Sequence, residues 1–181
     1  MSSALTRFFS SVVALITSFS LFSCNSNRFD EEKIGKDMEV VLTQLFDAVH
    51  EGDEKTFKNF FADHVVELPD FEDGCKYVFD VYKGELLGVK CHYPIGTGDH
   101  IVPGEQICYA FTIFDIITRE NNYTVYVEFY TRYKSKYPDF SYKIRKFKLL
   151  NKQQLDADET FNDCTQRNGI YYPGWINEKV E

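Results

Sequence analysis

Residues 106–135, QICYAFTIFDIITRENNYTVYVEFYTRYKS, decide the fold class. Apolar and aromatic side chains recur there at every second position, the period at which an extended chain turns successive residues to opposite faces. Ile107, Tyr109, Phe111 and Ile113 share one face of a strand predicted over 106–119. In a second strand, over 123–135, Val125, Val127 and Phe129 share a face, while Tyr126, Glu128, Tyr130 and Arg132 take the other. Asn121-Asn122 between them is a turn dipeptide, since Asn bonds its own backbone and tolerates left-handed conformations. Working outward, 86–93 and 140–149 repeat the same period, with Pro138-Asp139 as the intervening turn. The stretch 94–104 carries Pro94, Gly96, Gly98, Pro103 and Gly104 and is predicted to be a loop. These segments predict a four-stranded antiparallel meander.

The preceding sequence has the helical period. Ile34, Met38, Val41, Leu42, Leu45, Phe46 and Val49 make one stripe over 30–50, and Asp30, Glu31 and Glu32 suit the positive end of that helix. Gly52 caps its C-terminus, and Asp53 starts a short second helix through Phe57, Phe60 and Phe61. Pro69-Asp70 opens a third, with Asp70 as its cap, a stripe of Phe71, Cys75, Val78, Phe79 and Tyr82, and Gly84 as its end. Helices followed by strands describe an α+β domain whose N-terminal helices cover the apolar face of the sheet. From about residue 155 the chain is expected to be irregular, with Ile170, Tyr171, Tyr172 and Trp175 strapped onto the body.

The first 23 residues are expected to leave the mature protein. After Arg7 comes an apolar stretch from Phe8 to Phe22, the length of a signal-peptide core and shorter than the roughly 20 residues of a spanning helix. It ends in Leu21-Phe22-Ser23-Cys24, which resembles the bacterial lipobox. That resemblance implies cleavage before Cys24, diacylation of its thiol, and a position at the outer face of the cytoplasmic membrane. The competing reading is a short uncleaved anchor, which also leaves the domain outside the cytoplasm. Two acyl chains hold a protein stably where one does not. Residues 24–29 form a tether of roughly 20 Å at full extension, and 30–181 form one α+β domain. The net charge of −8 argues against nucleic acid as a partner.

Asp70-Phe71-Glu72-Asp73-Gly74, Tyr77-Val78-Phe79-Asp80, Gly84-Glu85, the aromatic strand 123–133 and Gly169-Ile170-Tyr171 carry a resemblance covering most of the mature chain. They are similar to a family of Gram-positive bacterial lipoproteins that has no assigned activity. The helix pair around Glu51-Gly52-Asp53, followed by sheet, resembles the nuclear transport factor 2-like superfamily, which includes SnoaL-like and ketosteroid isomerase folds. The resemblance implies a cystatin-like cone with a pocket between helices and sheet. Enzymes of that fold use a carboxylate base and a tyrosine that stabilises an oxyanion. Asp115 and Tyr109, on one predicted face, are the residue types for those roles, with Asp80 and Glu85 near the pocket mouth. The plainer reading makes Asp115 a solvated strand-end residue and Tyr109 core.

Four further cysteines, Cys75, Cys91, Cys108 and Cys164, allow three pairings on the oxidising side of a membrane. Cys91 with Cys108 across the 94–104 stretch, and Cys75 with Cys164, is one set; four buried thiols is the alternative. No C-x-x-C or His-carboxylate spacing points to a metal or a cofactor. Asp99-His100, in the glycine-rich loop, is the best local acid/base pair, though adjacent side chains point apart, and Gly96-Thr97-Gly98 reads as a flexible turn. Between Arg132 and Lys152 the charge is basic, and Lys143, Arg145, Lys146 and Lys148 form a candidate contact surface for lipid headgroups, an anionic polymer or an acidic partner. The other reading is that lysines on an edge strand block strand-to-strand aggregation. Three functional readings stay open: a non-catalytic module binding a small ligand or an envelope protein, a small pocket enzyme of the isomerase or dehydratase kind, and a subunit that forms a homodimer through its open sheet face.

Overall fold

The computed structural model describes residues 30–102, 105–133, 142–157 and 168–172. The expected signal segment, Cys24, the tether, Cys164 and Trp175 lie outside the described residues. Helix α1, Glu31–Glu51, begins with Glu31 and Glu32 and buries Met38, Leu42, Leu45, Phe46 and Val49, the predicted stripe. Ile34 and Val41 pack against the same core from its margin. Gly52 ends the helix at φ 73°, where a Cβ would be strained. Asp53 then caps α2, Glu54–Lys58, through Thr56 N at 3.0 Å and Thr56 Oγ1 at 2.6 Å. A one-turn α3, Asp63–Val66, precedes α4, Phe71–Val81. Asp70 stands at the start of α4 as predicted, but its side chain makes no capping hydrogen bond. Among the described residues no helix is long and apolar enough to cross a membrane.

The strands are β1, Leu86–Cys91; β2, Gly96–Val102; β3, Glu105–Thr118; β4, Asn122–Tyr133; β5, Ile144–Asn151; and β6, Gly169–Tyr171, with a short α5, Lys152–Ala157, after β5. They form one six-stranded sheet in the order β1-β3-β4-β5-β6, with β2 also on β3. Every pairing is antiparallel except β5 with β6. The predicted four-stranded meander is therefore the centre of a larger mixed sheet. Two corrections follow. The stretch expected to be a loop supplies β2, because Gly96 faces Phe111 and Gly98 faces Tyr109 across the ladder. A Cβ at either glycine would lie 2.3 Å from the opposing ring, so bare backbone is what lets those rings lie over the strand. The second correction concerns β5, which is flanked by β6 and is not an edge, so its lysines do not guard an open strand.

Among the described residues the helices cover one sheet face. Ala110, Phe114 and Ile116 of β3, Val125, Val127 and Phe129 of β4, and Phe147 and Leu149 of β5 are buried against them. Phe147 is the junction: its ring centroid lies 5.9 Å from that of Phe61, 6.2 Å from Phe46 and 6.5 Å from Phe57. Glu39 and Glu31 of α1 accept hydrogen bonds from the backbone of Cys91 and Ile95, tying the β1–β2 bend to the helix.

Gly74 gives a test of how β6 is held. A Cβ there would lie 2.6 Å from Ile170 Cβ and 3.2 Å from Ile170 O, neither of which can swing away. Inside a helix Gly→Ala ordinarily stabilises by up to about 1 kcal/mol. Gly74→Ala is expected to reverse that sign, lowering stability by about 1–3 kcal/mol through overpacking. Denaturant unfolding followed by circular dichroism measures it, with Gly88→Ala as the control, since a Cβ at Gly88 meets nothing within 4 Å.

Candidate functional site

The face turned away from the helices holds the polar chemistry. Cross-strand register puts Phe111, Glu128 and Lys146 in one row, and Ile113, Tyr126 and Lys148 in the next. Between Glu128 and Phe129 the register slips: Glu128 opposes Lys146 and Phe129 opposes Ile144, leaving Arg145 as an extra residue of β5. Such a bulge turns two consecutive side chains toward one face. Ile144 and Phe147 point into the core, and Arg145 and Lys146 both point toward Glu128.

There the carboxylate meets two cations. Glu128 Oε1 lies 3.0 Å from Arg145 Nε, and Oε2 lies 3.1 Å from Lys146 Nζ. The side chains are 5% exposed for Glu128, 7% for Lys146 and 20% for Arg145. Burying a charge without a partner costs several kcal/mol, so these residues sit in the sheet because they sit there together. The Arg145 guanidinium also stacks 4.6 Å above the Tyr109 ring and 5.7 Å from that of Tyr130. Its Nε–H donates to Asn168 Oδ1 at 3.0 Å. Because that proton is aimed at Asn168, the ion-pair contact to Glu128 Oε1 is not a directed hydrogen bond, and Oε1 accepts none.

A cavity of about 600 Å³ opens beside this cluster, lined by Tyr109, Phe111, Ile113, Tyr126, Glu128, Arg145 and Lys146, together with His92, Tyr93, Pro94 and Gly96. A second, of about 630 Å³, lies at the β3–β4 turn. Its Thr118 and Tyr123 hydroxyls are already spent on the backbone of Lys83 and Val81.

The residues singled out from sequence are distributed unevenly around the first cavity. Tyr109 and Asp115 share a face, but it is the face away from the helices, and the helix side where the pocket was expected is filled by the phenylalanine core. Six strand residues separate the two, roughly 20 Å, and each is otherwise engaged: Tyr109 under Arg145, and Asp115 Oδ2 at 2.8 Å from His92 Nε2. Asp80 is exposed on α4, and Glu85 pairs with Arg119 at 2.8 Å. Asp99 and His100 are consecutive residues of β2, in a strand and not in the loop expected for them. The basic surface is mostly not a surface. Arg145 and Lys146 turn onto Glu128, Lys143 Nζ donates to Asn59 O, and Lys148 is half-buried.

No disulfide joins the described cysteines: Cys75, Cys91 and Cys108 are free thiols, and Cys164 lies outside the described residues. Cys91 opposes Phe114 on β3, six residues from Cys108, about 20 Å and far beyond the reach of an S–S bond. Burial pushes the Cys75 thiol up to about 12 and the Cys91 thiol up to about 11, so neither is a nucleophile near neutral pH.

Glu128, Tyr130, His64 and Asn168 were not candidates on sequence, although the period-two reading does place Tyr126, Glu128 and Tyr130 on one face. His64, from α3, has Nε2 at 3.2 Å from Tyr130 OH and 3.1 Å from Asn168 Nδ2. Burial and then the Arg145 charge hold its pKa below the ordinary histidine value, with Asp63 and Glu67 opposing. A lowered folded pKa means the neutral ring stabilises the fold fully above the unfolded value of about 6.5. That stability is lost as pH falls from there toward the folded pKa. The thermal midpoint is expected to drop between pH 7.5 and 5.5, and to drop less in His64→Gln, which keeps an acceptor but takes no proton. Equal slopes in the two proteins would show that His64 is not the group responsible.

No curated protein matches the chain. Residues 44–140, more than half of it, match the family described as Domain of unknown function (DUF5104). The match runs from within α1 past the end of β4, so it takes in His64, Tyr109, Asp115 and Glu128 and stops short of Arg145 and Lys146. The chain belongs to that family, Domain of unknown function (DUF5104).

Proposed function

We propose that the protein is a bacterial lipoprotein anchored through Cys24 at the outer face of the cytoplasmic membrane. Its domain, of nuclear transport factor 2-like type, is a non-catalytic module that binds a small ligand. The observation that carries the binding reading is the 600 Å³ cavity, whose wall contains a buried Glu128 flanked by Arg145 and Lys146. Pockets that bind small molecules combine an apolar lining with a few convergent polar groups, and aromatic rings beside one ion cluster fit that description. The enzyme reading has less support, because Asp115 and Tyr109 do not converge on one point. N-terminal helices on a largely antiparallel sheet favour the fold assignment, and Leu21-Phe22-Ser23-Cys24 favours the anchor. A homodimer through the same sheet face is the second reading, favoured by Phe111 and Ile117, large apolar side chains 36% and 40% exposed there.

Two measurements test this. Full-length protein expressed in a bacterium grown with an alkyne-tagged fatty acid is expected to take up label, and Cys24→Ala to take up none; label on the variant would reject Cys24 as the anchor. Native mass spectrometry of the full chain, released from detergent, is expected to give a monomer with a discrete added mass. A bare dimer would move the function to the sheet face as a protein contact.

A further inference from the structure

We infer that the cavity selects a small monoanion with an apolar body, its oxyanion group held by the Arg145 guanidinium and the Lys146 ammonium. This rests on the ligand-binding reading above and names the class of ligand. Three observations carry it.

The first is charge. Arg145, Lys146 and Glu128 bring two positive charges and one negative into a largely buried cluster. One unit of positive charge is left over in a place with little water, and one bound anion neutralises it. A cationic ligand would add a third positive charge to the same site, and a dianion would overcompensate.

The second is donor count. A guanidinium has five N–H donors and an ammonium three. Arg145 spends Nε on Asn168, and among the described residues neither Nη makes a hydrogen bond. Among the described residues Lys146 Nζ is paired with Glu128 Oε2 alone. The Nη groups form a planar fork that matches a carboxylate or another oxyanion in two parallel hydrogen bonds. Tyr109 and Tyr130 hold that fork in place through their ring faces, so little side-chain freedom is lost on binding. Glu128 acts as a positioning residue: its ion pairs hold both cations beside the cavity while one of its own oxygens stays without a directed donor.

The third is the lining. Phe111, Ile113 and Tyr126 face the cavity next to the cluster, and Phe111 and Tyr126 lie with ring centroids 6.5 Å apart. An ion without apolar surface would leave these side chains wet, whereas an apolar body covers them.

The test uses the full lipidated chain in nanodiscs of neutral phosphatidylcholine, with empty nanodiscs as the blank. Isothermal titration compares 1-naphthaleneacetate with 1-naphthaleneacetamide, which has the same body and no charge. The acid is expected to bind at least about tenfold tighter, the effect of a charge-assisted hydrogen bond pair. Arg145→Gln is expected to bring the affinity for the acid down to that for the amide. Equal binding of acid and amide to the wild type, or tighter amide, overturns the inference while the ligand-binding reading stands. Binding of neither rejects both. The wild-type comparison decides even if Arg145→Gln fails to fold. Adding phosphatidylglycerol then identifies the source: displacement of the acid places the monoanion on a lipid, and its absence places it on a free acid, the acid-over-amide preference holding in either case.

Discussion

The inward placement of Phe147 is the constraint on which the rest of the structure depends. Its ring is fully buried, and Phe46 from α1, Phe57 from α2 and Phe61 from the following turn converge on it. Aromatic rings bury large areas, and edge-to-face pairs add attraction beyond area alone. Three ring contacts on one side chain, two of them edge-to-face, set the rotational phase of β5. Once Phe147 points at the helices, the alternation of a strand requires Lys146 to point the other way. The bulge then adds Arg145 to the same side, so the cation pair of the open face is a consequence of how the core is packed.

A six-stranded sheet with helices on one face has a second face to account for. Replacing a buried ion cluster by apolar residues of similar volume is often neutral or stabilising, so stability alone does not explain Glu128, Arg145 and Lys146. Their surroundings explain more. Tyr109 and Tyr130 stack on the guanidinium, Asn168 Oδ1 accepts a hydrogen bond from its Nε–H, and His64 joins Asn168 to Tyr130. These contacts come from β3, β4, α3 and the segment before β6, and they converge on one arginine beside an open cavity. The cluster holds charged groups in fixed positions next to an open cavity.

The readings from sequence that needed correction share a physical cause. Gly96 and Gly98 signal a turn when taken locally, yet they lie in a strand because Phe111 and Tyr109 need bare backbone beneath their rings. The run of lysines and arginine after residue 142 signals a cationic surface, yet Glu128, distant in sequence, draws two of them inward. Cys91 and Cys108 are symmetric about residues 94–104 only if those residues form a loop. With β2 paired to β3, the two thiols stand six strand positions apart. In each case a partner remote in sequence outweighs the local preference.

What the sequence determined by itself is what short-range periodicity encodes. The stripe of α1, the left-handed Gly52, the Asp53 cap, the central strands and the shared face of Tyr126, Glu128 and Tyr130 are legible because helical and extended backbones impose fixed spacings on whatever must be buried. Only the tertiary structure decided which face of the sheet the helices take, that β2 and β6 extend the sheet, and that an extra residue at Arg145 turns two cations onto Glu128. Those outcomes depend on register and on packing between segments dozens of residues apart, where a slip of one position exchanges core for surface.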